Sequence, residues 1–256
     1  MANDLMFPKI LVVSLPDARE RRRHMQEQLG RFPGLQWFFF DATRIRARDE
    51  YPEDYDVRAR KFLFGDDLRP GEVGCFLSHR ELWRLCAQSG DQAWCILEDD
   101  IVLLDNFEQR VRLLMRHVSR WDVVRLMQLL PRRGSWIHQE LDPQNRLRGF
   151  DRQPSGMQGY LIRPQAAKIL FQHAHKIVWP IDETLDLYWE HKQRLYCLDP
   201  PAIGLDQRFE SMIGARSSAR RPKWRKLQRQ IINGIHGVKR KLYVIRQQGL
   251  RENVFR

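Results

Sequence analysis

The chain has 256 residues, with 44 Lys+Arg against 32 Asp+Glu and a formal charge of +12. Hydrophobic residues make up 43% of it and aromatics 11%, enough to bury a core and too many for a disordered chain. No window approaches the ~18 consecutive apolar residues of a membrane span. Met1-Ala2-Asn3-Asp4 does not read as a secretory signal, and four irregularly spaced cysteines suit reduced thiols, so a cytoplasmic protein is expected.

In chain order, Ile10-Leu11-Val12-Val13-Ser14-Leu15 is a continuous apolar run that predicts a buried parallel strand. Pro16-Asp17 opens a helix to about residue 30, with Arg19, Arg21, Arg22 and Arg23 in its early turns. Cations there oppose the helix dipole, a cost that makes sense if something anionic sits opposite; a solvated face is the alternative. Residues 35–40 predict a second strand ending at Asp41, and residues 44–67, dense in charge of both signs, read as an exposed connection. Val73, Phe76, Leu77, Leu82, Leu85 and Cys86 fall at helical spacing and predict a helix over 72–87.

Ala93-Trp94-Cys95-Ile96-Leu97 is another buried strand, ending abruptly in Glu98-Asp99-Asp100. A helix over 107–118, a strand within 123–130, a strand at 159–162 and a helix over 164–173 follow. Strands alternating with helices predict an α/β fold with a mostly parallel sheet and its ligand outside the carboxyl ends of the strands.

Glu98-Asp99-Asp100 is the sharpest chemical feature. Three adjacent carboxylates repel one another, and a divalent cation relieves that repulsion. Oxygen ligands select Mn²⁺ or Mg²⁺, which in turn holds the phosphate oxygens of a nucleotide. Glu98 and Asp100, two apart, project to one side while Asp99 points away. An exposed acidic turn is the alternative. Upstream, in the segment 68–79, Pro70-Gly71 is a turn, Glu72 opens a helix at its favourable end, and Gly74 permits close backbone approach. Ser78 and His79 are adjacent rather than stacked on one helical face, which argues against a nucleophilic triad and leaves a satisfied core His79 as the bland reading.

Taken in order, these segments resemble glycosyltransferase family 25, which includes bacterial lipooligosaccharide and lipopolysaccharide galactosyltransferases. The resemblance rests on Val12-Val13-Ser14-Leu15 through Glu20-Arg21-Arg22 and Met25, on Asp41-Ala42, and on Gly71-Glu72-Val73-Gly74-Cys75 with Ser78-His79. It continues through Ile96-Leu97-Glu98-Asp99-Asp100, Gly159-Tyr160-Leu161-Ile162 with Ala166-Ala167, Pro180-Ile181-Asp182 and Ser211-Met212-Ile213. Ser14 departs from the Asn usual in that strand of the family. The resemblance implies a GT-A-type nucleotide-sugar fold and inverting transfer of a hexose, galactose from UDP-galactose, to a lipid-linked oligosaccharide acceptor.

It further implies Asp100 as metal ligand, with Glu98 or Asp99 on the metal or the ribose, and Arg21 and Arg22 on the diphosphate. Glu72, Ser78 and His79 fall at the donor, and Asp182 is the candidate base for the acceptor hydroxyl, with a helix N-cap as its alternative. Trp136, Trp179 and Trp189 are either sugar-stacking platforms or core aromatics. The rivals are a phosphohydrolase using the same acidic cluster and a non-catalytic basic protein.

The charge is segregated. Residues 216–251 hold 12 Lys+Arg and no Asp or Glu, whereas residues 1–215 hold 31 basic and 31 acidic residues. A neutral transferase domain over 1–215 and a basic helical tail over 216–256 are therefore expected. In the tail Trp224, Leu227, Ile231, Ile235, Val238, Leu242 and Ile245 are spaced by three and four, which predicts an amphipathic helix lying on an anionic membrane surface, at the bacterial inner membrane if the acceptor is a glycolipid. Packing back onto the body or into a homo-oligomer is the alternative. Nucleic acid is less expected, for want of a binding signature and of stacking aromatics.

Overall fold

The computed structural model describes residues 7–128, 135–150, 154–209 and 223–252, with side chains in the last segment described over 232–246. The chain opens with strand β1 (Lys9–Ser14), helix α1 (Arg19–Gly30) and strand β2 (Trp37–Asp41). Helices α2 (Val57–Phe64) and α3 (Pro70–Ala87) lead to strands β3 (Trp94–Glu98) and β4 (Ile101–Leu103), helix α4 (Phe107–Arg116) and strand β5 (Val123–Arg125). Then come β6 (Ser135–Glu140), β7 (Arg146–Phe150), β8 (Gly159–Ile162), α5 (Pro164–His173), α6 (Ile181–Leu185), α7 (Tyr188–His191), β9 (Leu195–Asp199), β10 (Ile203–Leu205) and the long α8 (Lys223–Glu252).

Eight strands form one sheet in the order β2-β1-β3-β8-β5-β9-β7-β6, and β10 pairs with β4 beside it. β1 is parallel to both β2 and β3, and β5 to β9, whereas β8 runs against β3 and β5, and β7 against β9 and β6. Six strands therefore share one direction and β7 and β8 oppose them. The expected alternation holds through β3; after it, an inverted strand and a hairpin make the sheet mixed.

The central strands are buried on both faces, which is why their sequences read as unbroken apolar runs. One layer packs Phe76, Leu82, Trp83 and Tyr160 on one side of the sheet, and the other packs Met25, Phe107, Leu114 and Trp121 on the opposite side. Pro at the first helical position starts both α3 and α5, where the missing amide hydrogen costs nothing.

Two local expectations differ from the structure. The charged stretch 44–67 contains α2, capped by Asp56, whose carboxylate accepts from Ala59 N at 2.9 Å, and ended by left-handed Gly65. Its Arg60 is buried, donating to Asp66 O and Val178 O, so a run that looked solvated in fact carries structure. Where an N-cap at Asp182 implies a helix starting after it, the structure has two short helices, α6 and α7, with Asp182 inside the first.

The described part of the tail, 223–252, is one helix, and it packs on the body. Val244 is buried in the main core, Tyr243 lies 5.6 Å from Tyr188 ring to ring, and His236 sits between Trp179 and Trp189 at 5.4 and 5.7 Å. Trp224, Leu227 and Ile231 lie outside the side chains described. Among the described residues no helix is long and apolar enough to cross a membrane.

Candidate active site

A cavity of about 940 Å³ opens beyond the carboxyl ends of β1 and β3. Its walls bring together segments far apart in sequence: Ser14 and Arg21, the loop 42–45, the start of α3, Glu98-Asp99-Asp100, the loop 156–158, Asp182, and residues 205–209. Of the residues singled out from sequence, Arg21, Glu72, Ser78, His79, Glu98, Asp99, Asp100 and Asp182 all line it, and Arg22 does not.

All three carboxylates of the acidic cluster line the cavity, so Asp99 does not point away from it as strand alternation predicts, because the strand ends at Glu98. Asp99 turns to Arg21, whose Nη1 donates to Oδ1 at 2.8 Å; the same nitrogen is 3.6 Å from Asp100 Oδ2. Arg21 also lies over the Phe209 ring at 5.2 Å. Asp100 Oδ1 is buried with no hydrogen-bond partner. Burial, then the adjacent Glu98 charge, pushes the Asp100 carboxyl up to about 7 against the opposing pull of Arg21. Two of the cations crowded at the start of α1 thus find anionic partners within the protein: Arg21 takes Asp99, and Arg22 takes Asp41.

Arg22 also donates to the carbonyls of Ser14 and Leu15 at 3.0 Å each. It ties the end of β1 to the end of β2, so of the two arginines expected at a diphosphate only Arg21 lines the cavity.

The Gly-Glu-x-Gly-Cys-x-x-Ser-His box divides into scaffold and wall. A Cβ on Gly74 would stand 2.5 Å from Thr43 O, so only glycine lets α3 press against the loop after β2. Ser78 seals that contact: its hydroxyl donates to Gly74 O at 2.7 Å and accepts from Thr43 N at 2.9 Å. The side chain is fully buried and its hydrogen-bonding is spent on backbone, so it shapes the cavity wall rather than offering a free hydroxyl. Glu72 accepts from Arg69 N at 2.8 Å and caps α3.

His79 is fully buried. Trp83 Nε1 donates to the Tyr160 hydroxyl at 2.9 Å, and that hydroxyl is 3.0 Å from His79 Nδ1. Assigning the Tyr160 proton to Nδ1 leaves the imidazole hydrogen on Nε2, 3.7 Å from Glu98 Oε1 and too far for a hydrogen bond. The chain Trp83–Tyr160–His79 thus ends facing Glu98. Cys75 Sγ, 3.9 Å from Glu98 Oε1, completes a group of three whose ligand atoms lie within 4.8 Å of one another. Burial, then the charges of Glu98, Asp182 and Asp100, pushes the Cys75 thiol well up, so it is not a thiolate nucleophile.

Asp182 lies inside the first turn of α6, where Pro180 occupies the cap position, so its carboxylate is not the N-cap. Its Oδ2 accepts from Gly156 N at 3.1 Å, while Asp186 Oδ2 accepts from Ser155 N at 2.9 Å. Ser155 and Gly156 both have positive φ, 59° and 86°, which turns two successive amides toward the two carboxylates. Asp186 is fully buried and pairs with Arg125 at 2.7 Å. Burial pushes Asp186 up to about 6, still acidic enough to be ionised beside Arg125 at neutral pH.

The loop 155–156, Arg125 and Asp206, which lines the cavity 3.3 Å from His24, were not singled out from sequence. Each belongs to a pairing across the fold with no local pattern to find. Trp136, Trp179 and Trp189 do not line the cavity: Trp136 crosses Gly149 in the β6–β7 hairpin, and the other two pack against α8.

The model of glycosyltransferase family 25 (LPS biosynthesis protein) matches residues 7–185, and so takes in every one of these residues from Ser14 to Asp182. The chain belongs to glycosyltransferase family 25.

Curated relatives include a putative glycosyltransferase of Haemophilus influenzae, 34% identical over 38% of this chain and 34% of its own length. Another, the lipooligosaccharide biosynthesis protein lic2B of Haemophilus influenzae, is 31% identical over 38% and 35%. The human inactive glycosyltransferase 25 family member 3 is 30% identical over 47% of this chain and 22% of its own. The chain therefore spans about a third or less of these relatives' lengths. Among solved structures, a glycosyltransferase involved in the glycosylation of the major capsid of PBCV-1 aligns over 89% of this chain and 99% of its own, at 8% identity and a TM-score of 0.46.

Proposed function

We propose that this protein is an inverting, divalent-cation-dependent glycosyltransferase of GT-A type. It moves a hexose, galactose from UDP-galactose, onto a lipooligosaccharide or lipopolysaccharide glycan. The observation that carries the reading is that Asp100, whose buried Oδ1 has no hydrogen-bond partner, and the loop-held Asp182 line one cavity with Arg21, which lies between the acidic strand end and Phe209.

The donor set fits a hard cation, Mn²⁺ or Mg²⁺. A buried carboxylate oxygen with no partner, next to a second carboxylate, is an arrangement that oxygen-seeking cations stabilise. Asp100 and Glu98 would hold the ion, and when bound it neutralises charge growing on the departing diphosphate. Arg21, anchored by Asp99, adds positive charge at the same end of the cavity. His79, fixed by Tyr160 and Trp83, presents its Nε2 3.7 Å from Glu98 Oε1.

Across the cavity, Gly156 N–H holds Asp182 Oδ2 and leaves Oδ1 for the acceptor. The acceptor oxygen attacks the anomeric carbon, its proton passes to Asp182, and the bond from that carbon to the diphosphate oxygen breaks. The glycolipid acceptor is supported by the lipooligosaccharide biosynthesis role in the name of a relative.

The test is a panel of UDP-sugars with Mn²⁺ or with chelator, scored by calorimetry and by slow donor hydrolysis. One UDP-hexose should bind tightly only with the cation and be hydrolysed slowly. If no nucleotide sugar binds, or if Asp100→Ala leaves cation-dependent turnover intact, the assignment fails.

A further inference from the structure

Helix α8 has two working faces. One is docked: His236, Arg240, Tyr243 and Val244 meet the Trp179, Tyr188 and Trp189 surface, with Lys239 reaching Glu190 at 3.8 Å. The other is bare. Ile235, Val238, Leu242 and Ile245 are 51%, 59%, 63% and 64% exposed. Their spacing of three, four and three places them in one stripe on the side of the helix roughly opposite the docked residues. The exposed cations Lys241 on one flank, and Lys239 and Arg246 on the other, border the stripe.

Packing on the body thus does not account for these four aliphatic side chains, because different residues of the same helix do the packing. We infer that this stripe seats on an anionic lipid surface, with the aliphatic side chains entering the acyl boundary and the flanking cations meeting headgroup phosphates. The charge of the segment selects this occupant. Twelve Lys+Arg and no acid between 216 and 251 would repel a second copy of the same helix but are drawn to an anionic bilayer. A nucleic-acid backbone would reward the cations and gain nothing from four aliphatic side chains, and no aromatic residue stands among the exposed positions of 232–246. Among the stripe residues none lines the cavity, so lipid binding and donor binding are separable.

The experiment is co-sedimentation of the full chain with vesicles of phosphatidylcholine alone or mixed with phosphatidylglycerol, with UDP-sugar binding measured on the same preparations. The protein should sediment with the anionic vesicles and not with the neutral ones. Val238→Asp/Leu242→Asp should weaken that partition on the order of a hundredfold, and a Lys239→Ala/Lys241→Ala/Arg246→Ala variant should weaken it and reduce its salt dependence. Circular dichroism should be unchanged, since all five positions are exposed, and so should donor binding.

Undiminished sedimentation of the double aspartate variant would overturn the proposal. So would a concentration-dependent dimer, seen by light scattering, that the same variant abolishes and vesicles do not compete with. RNA binding that survives the aspartate substitutions, with no vesicle binding by the wild type, would overturn it in favour of nucleic acid.

Discussion

Two aspartates four residues apart, Asp182 and Asp186, face the same pair of backbone amides and meet opposite fates. Asp186 is fully buried and neutralised by Arg125 at 2.7 Å, whereas Asp182 stands in the cavity wall with one amide contact. The acidic strand end repeats the contrast at shorter range: Asp99 is paired with Arg21, while the buried oxygen of Asp100 has no partner. A paired carboxylate is scaffold, since desolvation is offset locally. An unpaired one at the edge of a cavity keeps its unfavourable electrostatics available for a ligand.

The contrast can be broken at its functional half first. Asp182→Asn should lower turnover about 10²- to 10⁴-fold while leaving donor binding by calorimetry unchanged, because only the proton acceptor is lost. Asp100→Ala should cost on the order of 10²- to 10³-fold in kcat/KM and remove the dependence on Mn²⁺ or Mg²⁺, read from a cation titration. Equal dependence in wild type and variant would move the ion elsewhere.

At the structural half, Arg125→Leu should leave Asp186 buried without its counter-charge, lowering stability by about 3–5 kcal/mol in urea unfolding, and Arg125→Leu/Asp186→Leu should regain most of that loss. A smaller effect is expected at the loop contact: Ser78→Ala removes the acceptor of Thr43 N and should cost about 1–3 kcal/mol.

The smallest effect is on pH dependence. The Asp100 carboxyl is raised from its ordinary 3.8 to about 7, so the folded state holds that proton more tightly than the unfolded chain. Its contribution to stability is complete below 3.8 and is lost as pH rises through about 7. The Tm of the cation-free protein should therefore decline over that window more in wild type than in Asp100→Asn, and added Mn²⁺ should restore it at the upper end.

Much of the site was legible because its residues sit at places local physics marks. A buried strand that ends in three carboxylates is anomalous by itself, and Gly74 announces a close approach wherever α3 packs. The two arginines of α1 were legible as a pair but not as individuals, since adjacent residues on a helix point about 100° apart, and only the position of Asp99 and Asp41 sends one to the cavity and the other to the strand ends. Helix α2 escaped notice because Arg60 is buried through contacts to Asp66 and Val178, which no helical periodicity records.

By itself the sequence determined where β1, β2, β3, β5 and β8 lie, which loop carries the carboxylates, and that all excess charge belongs to one C-terminal segment, because apolar runs, glycine and charge act over a few residues. Only the tertiary structure decided which carboxylates are paired, which way β7 and β8 run, and which face of α8 meets the body. Those outcomes depend on partners tens of residues away, and burial gives them their energetic weight only once the chain has folded around them.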